Sequence, residues 1–215
     1  MEYKMDAPSR RGFDEAYKLA YDMAAQQFRD TPDLAALCRR SQAALTEEPP
    51  QKLISLSYLG QNCLVSLPAV EVTATTGTPL SSRDHLIILH YLNTANGSPL
   101  TGRLITFKEL PEGGIYFPTF VKRAIKPLLD KFADRPESLI ANAEQLGGVK
   151  ADTGDFSFKL NALPRVPLTV TLWLGDEELP PEGSMLFDSS VVDYLPTEDI
   201  TVLCEILAWK LVRLG

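Results

Sequence analysis

Residues 166–174, Val-Pro-Leu-Thr-Val-Thr-Leu-Trp-Leu, form the clearest strand pattern in the chain. Every second residue from Val166 to Leu174 is apolar, whereas the intervening residues are Pro167, Thr169, Thr171 and Trp173. Side chains alternate between the two faces of an extended chain, so this pattern predicts a strand with one apolar face and one more polar face. Trp173 lies on the second face. There it either offers a ring on which a ligand stacks or packs beneath a covering helix.

Shorter segments with the same two-residue period predict further strands. Ile54–Tyr58 and Cys63–Leu67 flank the turn residues Gly60, Gln61 and Asn62, an arrangement typical of a β-hairpin. We also expect strands at Val70–Ala74, Arg103–Phe107 and Phe156–Leu160. Because short turns join these strands, an antiparallel sheet is favoured over a parallel one.

Helical periods occupy the rest of the chain. The segments Phe13–Phe28 and Asp33–Leu45 predict an N-terminal helical hairpin, and a helix from about Ser81 to Thr94 has almost no polar face. We interpret this helix as the buried centre of the domain, with Ser81 and Asp84 at its N-terminus. Further helices are predicted at Phe117–Phe132, where Pro127 is a kink or break, and at Pro136–Leu146.

The last predicted element is an amphipathic helix that begins at Pro196 or Thr197 and runs to the end of the chain. Helices and strands are mixed without a regular strand-helix-strand alternation. The fold class is therefore predicted as α+β, with a mainly antiparallel sheet in a single domain spanning residues 1–215.

Composition excludes several classes of protein. With 45% hydrophobic and 23% charged residues, the chain is neither intrinsically disordered nor fibrous. Its formal net charge of -7 repels phosphate, so we expect neither nucleic acid nor an anionic membrane surface as a partner. Cys38, Cys63 and Cys204 are too scattered for a disulfide framework or a metal knuckle. Reduced thiols, a charged N-terminus and the lack of a long apolar stretch lead us to expect a cytoplasmic protein.

The net charge arises in one segment. Residues 166–209 contain nine acidic side chains and no basic one, whereas residues 1–165 contain equal numbers of each. Two interpretations are open. Either the carboxylates cap turns and helix starts, as Asp176, Glu198 and Asp199 suggest, or they gather around a concavity that binds a cation or performs acid-base catalysis.

Other chemical signals are weak when taken singly. His90 lies on the predicted buried helix, where a histidine satisfied by one hydrogen bond is commoner than a base or a ligand. Arg123 lies between Lys122 and Lys126 in a basic stripe that suits a phosphate, an acidic partner or solvent. The chain contains no GxGxxG, phosphate-loop, GxSxG or HExxH motif, so nucleotide cradling and the corresponding catalytic classes are unsupported.

Several short segments carry a family resemblance as a set. They are Tyr58-Leu59-Gly60, His90-Tyr91-Leu92, Pro99-Leu100-Thr101-Gly102, Ile105-Thr106-Phe107-Lys108-Glu109-Leu110, Gly113-Gly114-Ile115-Tyr116, Leu163-Pro164-Arg165-Val166-Pro167-Leu168, Leu172-Trp173-Leu174-Gly175-Asp176-Glu177-Glu178 and Leu186-Phe187-Asp188. The chain from about residue 13 to its end resembles the domain of unknown function 3786. That resemblance implies relatives in anaerobic bacteria and archaea without an assigned reaction. Some of these relatives carry iron-sulfur cysteine motifs that three scattered cysteines cannot reproduce.

The candidate ligand-binding residues are chiefly those that packing explains least, because ionisable side chains are rarely buried without partners. They are His90, Glu109, Tyr116, Arg123, Arg165, Trp173, Asp176, Glu177 and Asp188. Two functions remain open. The first is an accessory or binding module for a small polar ligand, a cofactor or a partner protein. The second is a carboxylate-based hydrolase or lyase, with or without a divalent cation. The sequence identifies no catalytic residue, metal ligand, cofactor or oligomeric state.

Overall fold

The computed structural model describes residues 10–75 and 79–214. The helices are α1 (Arg10–Arg29), α2 (Leu34–Ser41), α3 (Ser82–Thr94), α4 (Gly113–Phe120), α5 (Lys126–Phe132), α6 (Pro136–Gln145) and α7 (Thr197–Arg213). The strands are β1 (Ala44–Glu48), β2 (Gln51–Tyr58), β3 (Gln61–Leu67), β4 (Glu71–Ala74), β5 (Leu104–Thr106), β6 (Val149–Lys150), β7 (Phe156–Leu163), β8 (Val166–Trp173) and β9 (Glu182–Asp188). Within the described residues, no helix combines the length and the apolar character needed to cross a bilayer.

The strands form two sheets, and every pairing between described strands is antiparallel. The first sheet has the order β1-β2-β3-β4, and the second has the order β5-β9-β8-β7-β6. The predicted α+β class and the antiparallel pairing are confirmed. One cluster of buried apolar side chains runs through both sheets and the helices between them, as expected of a single domain.

β8 is the central strand of the second sheet, and both of its faces are buried. The face that carries the threonines is thus polar in sequence but buried in the structure. Thr169 and Thr171 are buried, and Thr171 Oγ1 lies 2.9 Å from Thr153 Oγ1 in the loop that covers this face. β9, which pairs with β8 on the side opposite β7, was not predicted. Its sequence, Glu-Gly-Ser-Met-Leu-Phe-Asp, lacks a regular apolar alternation.

α3 is the buried central helix that the sequence predicts. Ile88, Leu89 and Leu92 are fully buried, and α1, α2 and α7 all pack against this helix. Its N-terminus has a capping box: the Asp84 backbone N–H donates to Ser81 Oγ, and the Asp84 carboxylate accepts from the Ser81 backbone N–H. These two reciprocal bonds satisfy donors that the first helical turn leaves free.

The N-terminal helix pair is present, but its second helix is shorter than predicted. α2 ends at Ser41 because Gln42 adopts a left-handed conformation, from which its N–H bonds to carbonyls of the last turn. Residues 44–48, the first two of which were expected to be helical, form β1 instead and pair with β2. Pairing with a neighbouring strand outweighs the weak helical propensity of this short segment.

A helical segment runs from Gly113 to Phe132 and changes its winding in the middle. Val121–Ile125 form a π-helical turn between α4 and α5, and Pro127 follows at the start of α5. The predicted break at Pro127 is thus a local widening of the helix. The apolar stripe of α7, including Leu203, Leu207 and Leu211, is buried in the core of the same chain.

The β2–β3 turn joins the first sheet to the rest of the molecule. Leu59 and Gly60 form this turn, both with positive φ, and the Leu59 N–H donates to the carbonyl of Ala162 in β7 at 2.9 Å. A Cβ on Gly60 would lie 2.4 Å from the Leu146 carbonyl oxygen. Glycine is therefore required here by both conformation and space.

We expect Gly60→Ala to lower the free energy of unfolding by about 2–4 kcal/mol, because it combines a left-handed backbone with a clash against the Leu146 main chain. Gly102→Ala is the matched control, since Gly102 also has positive φ but a Cβ there meets no atom within 4 Å. That variant should lose only about 1 kcal/mol. Urea denaturation measures both, and equal losses would contradict the docking of the β2–β3 turn.

Candidate functional site

α3 and α7 pack antiparallel and are joined by two pairs of side chains along their seam. Arg83 near the start of α3 pairs with Glu205 in the later part of α7, and His90 pairs with Asp199 in the first turn of α7. Arg83 and His90 are seven residues apart on α3, and Asp199 and Glu205 are six residues apart on α7. At a rise of about 1.5 Å per residue, the two pairs are separated by about 10 Å along the helices. These contacts set the register of the two helices.

The pair at Glu205 is a three-residue ionic cluster. Arg83 donates from Nη1 to Glu205 Oε1 at 3.1 Å, and Arg123 donates from Nε to Glu205 Oε2 at 2.6 Å. The Glu205 side chain is only 15% exposed. Arg123 reaches it from the π-helical turn, so one carboxylate connects α3, α7 and the helical segment between residues 113 and 132. Two arginines around one glutamate leave the cluster with a net positive charge.

A cavity of about 710 Å³ lies beside this cluster. Its walls come from the β2–β3 turn, the start of α3, the end of α6 and the last turns of α7. They are lined by Leu59, Gly60, Gln61, Pro79, Ser81, Arg83, Asp84, Gln145, Leu146, Glu205, Ile206, Trp209, Lys210, Arg213 and Leu214. The lining thus combines apolar side chains with five charged ones.

Asp84 in the cavity wall is held by a buried hydrogen-bond network. Its Oδ1 accepts from Tyr58 Oη at 2.8 Å, and its Oδ2 accepts from the Ser81 N–H at 2.7 Å and from Ser81 Oγ. Burial and the neighbouring Asp84 charge raise the pKa of Tyr58 well above its ordinary value. Tyr58 therefore stays protonated as a donor, and the Asp84 carboxylate is occupied.

His90 and Asp199 form the second side-chain pair of the seam. His90 Nδ1 lies 2.7 Å from Asp199 Oδ2, and the His90 side chain is 32% exposed. A carboxylate on Nδ1 orients the ring and leaves Nε2 to accept or donate a proton. The sequence predicted that Asp199 complements the dipole of its helix, which its place in the first turn of α7 also fits.

Asp188 is a buried anchor for the chain around residues 101 and 102. Its Oδ1 accepts from Thr101 and Ser190, and its Oδ2 accepts from the Gly102 N–H at 2.7 Å. Burial disfavours the ionised form, but these hydrogen bonds outweigh that effect and hold the pKa of Asp188 well below its usual range. Because both oxygens are saturated by local donors, this carboxylate has a structural role.

Asp176 and Glu177 lie in the exposed loop between β8 and β9. Asp176 Oδ1 accepts from the Leu179 and Glu178 backbone N–H groups at 2.8 Å, which lowers the pKa of this carboxyl group. A depression of about 420 Å³ beside the loop is lined by Asp134 and by residues 174–181. Among residues 10–75 and 79–214, no three His, Cys, Asp or Glu side chains are grouped closely enough to hold a metal ion.

The remaining candidates are spread over the second sheet and its surroundings. Arg165 precedes β8 and Trp173 ends it, so Arg165 and Asp176 are separated by an eight-residue strand of about 25 Å. Arg165 Nε is buried and has no hydrogen-bond partner among the described residues. Trp173 is half-exposed beside the loop of Gly154.

Glu109 and Tyr116 lie near the edge strand β5. Glu109 Oε2 accepts from the Thr106 N–H at 2.7 Å, and this bond lowers the pKa of the exposed carboxyl group. Tyr116 lines a groove of about 410 Å³ together with Val192 and Pro196. The structure therefore brings His90 and Arg123 to the α3–α7 seam and Arg165 and Asp188 to the surroundings of the Tyr194 hydroxyl, whereas it leaves Asp176 and Glu177 in the exposed β8–β9 loop.

Comparison with known proteins assigns the family. A family model described as domain of unknown function, DUF3786, matches residues 33–210. The chain belongs to the DUF3786 family. No curated protein and no solved structure matches it. The matched range is narrower at both ends than the stretch from about residue 13 to the end of the chain that the sequence motifs suggest.

The cavity of this DUF3786 domain contains charged residues that the sequence did not single out, namely Arg83, Lys210 and Arg213. One sequence signal points to the last two, because they are the only basic residues after Arg165. The acidic residues of that C-terminal segment do not all gather around one concavity: Asp176, Glu177 and Glu178 line the depression beside the β8–β9 loop. Asp188, Asp199 and Glu205 are engaged in separate contacts within the fold.

We expect Glu205→Gln to lower the free energy of unfolding by about 2 kcal/mol, because it leaves two partly buried guanidinium groups without a carboxylate. The loss is smaller than for a fully buried pair since Arg83 and Arg123 partly face water. Asp130→Asn, which breaks an exposed pair with Lys126, is the control and should change stability by less than about 0.5 kcal/mol. Urea denaturation measures both variants. Similar losses of stability would show that the cluster contributes no more to stability than an exposed ion pair.

Asp188→Asn should destabilise the domain by about 2–3 kcal/mol at neutral pH, because the amide cannot accept all the hydrogen bonds that the carboxylate receives. The pKa of Asp188 is depressed in the folded state, so the stabilisation is complete above about pH 5 and is lost as the pH falls below about 4. Unfolding measured from pH 7 to pH 3 should show the gap to wild type shrinking. Glu177→Gln in the exposed loop is the control, and a gap independent of pH would contradict this role.

Proposed function

We propose that this DUF3786 domain is a cytoplasmic accessory or binding module for a small polar ligand. The observation that carries the proposal is the cavity of about 710 Å³ beside the Arg83–Glu205–Arg123 cluster. Sites for small molecules in proteins span roughly 300–1,000 Å³ and combine apolar walls with a few fixed polar groups. The cavity fits both criteria.

The construction of the cavity supports a preformed site. Tyr58 and Ser81 hold Asp84, while Arg83 is held by Glu205, so two charged wall residues are fixed by contacts within the fold. Groups whose rotamers are locked before binding lose less conformational entropy when a ligand arrives.

The β2–β3 turn supplies a further supporting observation. Leu59 is buried, lines the cavity and has a φ of 45°, a left-handed conformation that is uncommon for leucine. Such backbone strain persists only where the surrounding structure enforces it, and it is concentrated at functional sites. The turn also belongs to the segment Tyr58-Leu59-Gly60, one of those by which the chain resembles its family.

The cysteines bear on the cellular compartment, and the apolar stripe of α7 bears on the kind of partner. Cys38, Cys63 and Cys204 are buried free thiols, and burial raises the pKa of Cys63 to about 11, which fits a protein that keeps unreactive thiols in a reducing compartment. The apolar stripe of α7 is occupied by the domain's own core. A partner protein would therefore have to use another surface, which makes the small ligand the better supported alternative.

A hydrolase or lyase is the second candidate function, and the His90–Asp199 pair is the observation that favours it. A histidine oriented by a carboxylate and partly exposed has the arrangement of a general base. The carboxylates of residues 176–188 support it less well, because Asp176 caps a turn and Asp188 is saturated by hydrogen bonds.

A thermal-shift screen of nucleotides, corrinoids, haem and metal ions, followed by native mass spectrometry, tests the binding module. We expect at least one compound to stabilise the wild type and to lose its effect in Gln145→Trp, which places a large side chain at the cavity wall. Val192→Trp in the groove beside Tyr116 is the matched control and should retain the effect. No stabilising compound, together with a turnover that His90→Asn abolishes, would replace this proposal by the enzyme.

A further inference from the structure

The charged groups of the cavity wall differ in whether they already have partners. Asp84 is bound by Tyr58 and Ser81, and Glu205 is bound by two arginines, so neither carboxylate is available to a ligand. Lys210 and Arg213 form no salt bridge with any residue in the described part of the chain. Asp84 keeps its negative charge but its oxygens are occupied by hydrogen bonds, so the charged groups of the wall that remain available to a ligand are both positive.

The position of Lys210 sharpens this asymmetry. It is half-buried, and its charge opposes the larger effect of the Asp84 carboxylate on the buried Cys63 thiol. Cations in the last turn of a helix complement the helix dipole, which explains why Lys210 and Arg213 lie at the end of α7. The dipole does not explain why the Lys210 ammonium group is partly removed from water beside a cavity without a carboxylate partner. That arrangement favours the binding of an anion.

The apolar part of the lining lies next to these cations. Trp209 lines the cavity and its side chain is 42% exposed, a large exposed fraction for a tryptophan. Ile206 and Leu214 lie on the same wall. Indole rings bind planar groups by stacking and leave the adjacent charges free to fix the orientation of the ligand.

We infer that the ligand of this cavity is a small aromatic anion, with its carboxylate, phosphate or sulfonate bound by Lys210 and Arg213 and its ring against Trp209. The inference rests on the proposed function, since it names the chemical class of the ligand that the binding module takes. Local charge outweighs the net charge of -7 here, because the wall contains three cations, Arg83, Lys210 and Arg213, against the two carboxylates of Asp84 and Glu205, and Arg123 adds a further positive charge at Glu205.

Two fluorescent probes with the same rings separate charge from shape. Anilinonaphthalene sulfonate carries an anionic group, whereas phenylnaphthylamine is its uncharged counterpart. We expect the sulfonate to bind one site in the wild type, with an affinity that falls as sodium chloride is added. Lys210→Gln and Arg213→Gln should each weaken it by about tenfold, as expected for one charge-assisted hydrogen bond, and should leave the neutral probe unchanged.

Control experiments show whether weaker probe binding results from the lost charge, from unfolding or from binding at another place. Lys210→Arg retains the positive charge and should bind the sulfonate within about threefold of wild type, while circular dichroism melting establishes that each variant is folded. Trp173→Phe leaves Trp209 as the only tryptophan, so energy transfer from it to the bound probe reports binding at the cavity.

The outcomes distinguish this inference from the proposed function. Equal binding of both probes near Trp209, unaffected by Lys210→Gln, would overturn the anion and leave the binding module in place. Failure of both probes to bind near Trp209, with no stabilising compound in the thermal-shift screen, would overturn the binding module itself. Preferential, salt-sensitive binding of the sulfonate that Lys210→Gln weakens supports the inference.

Discussion

One carboxylate, that of Glu205, connects the parts of this domain that are far apart in sequence. It accepts from Arg83 on α3 and from Arg123 in the π-helical turn, while its own helix, α7, packs against both. Partly buried ions of this kind stabilise only when each has its partner, so the cluster demands that all three elements take one arrangement. The same contacts fix the adjacent wall of the cavity, because Arg83 and Glu205 are part of that wall.

The distribution of charge follows from the same contacts. The chain is acidic overall, and all charged residues between Val166 and Trp209 are acidic. In the folded state, Asp188 binds the backbone around Gly102, Asp199 binds His90 and Glu205 binds two arginines. The buried carboxylates of this segment are thus bound by other groups of the same chain. The two cations that end the segment remain unpaired at the cavity, which gives an acidic protein a locally positive site.

Much of the fold could be predicted from the sequence because its strongest elements are locally encoded. The capped helix at Ser81, the hairpin around Gly60 and the strand from Val166 all have periodic patterns. β9 and β1 were harder to predict, since pairing with a neighbouring strand decides them. The candidate site was harder to predict than the fold. Arg83 and Glu205 are 122 residues apart, and no local pattern tells which carboxylate will meet which guanidinium. His90 and Arg123 were among the predicted residues, but their partners were not.

The most direct test of this account follows the two tryptophan indole N–H signals in a two-dimensional nitrogen–proton spectrum while anilinonaphthalene sulfonate is added. Trp209 lines the cavity, whereas Trp173 ends β8 outside it. The account predicts that the Trp209 signal moves and saturates at one equivalent while the Trp173 signal stays in place. Movement of the Trp173 signal alone, or no movement of the Trp209 signal at saturating probe, would contradict it.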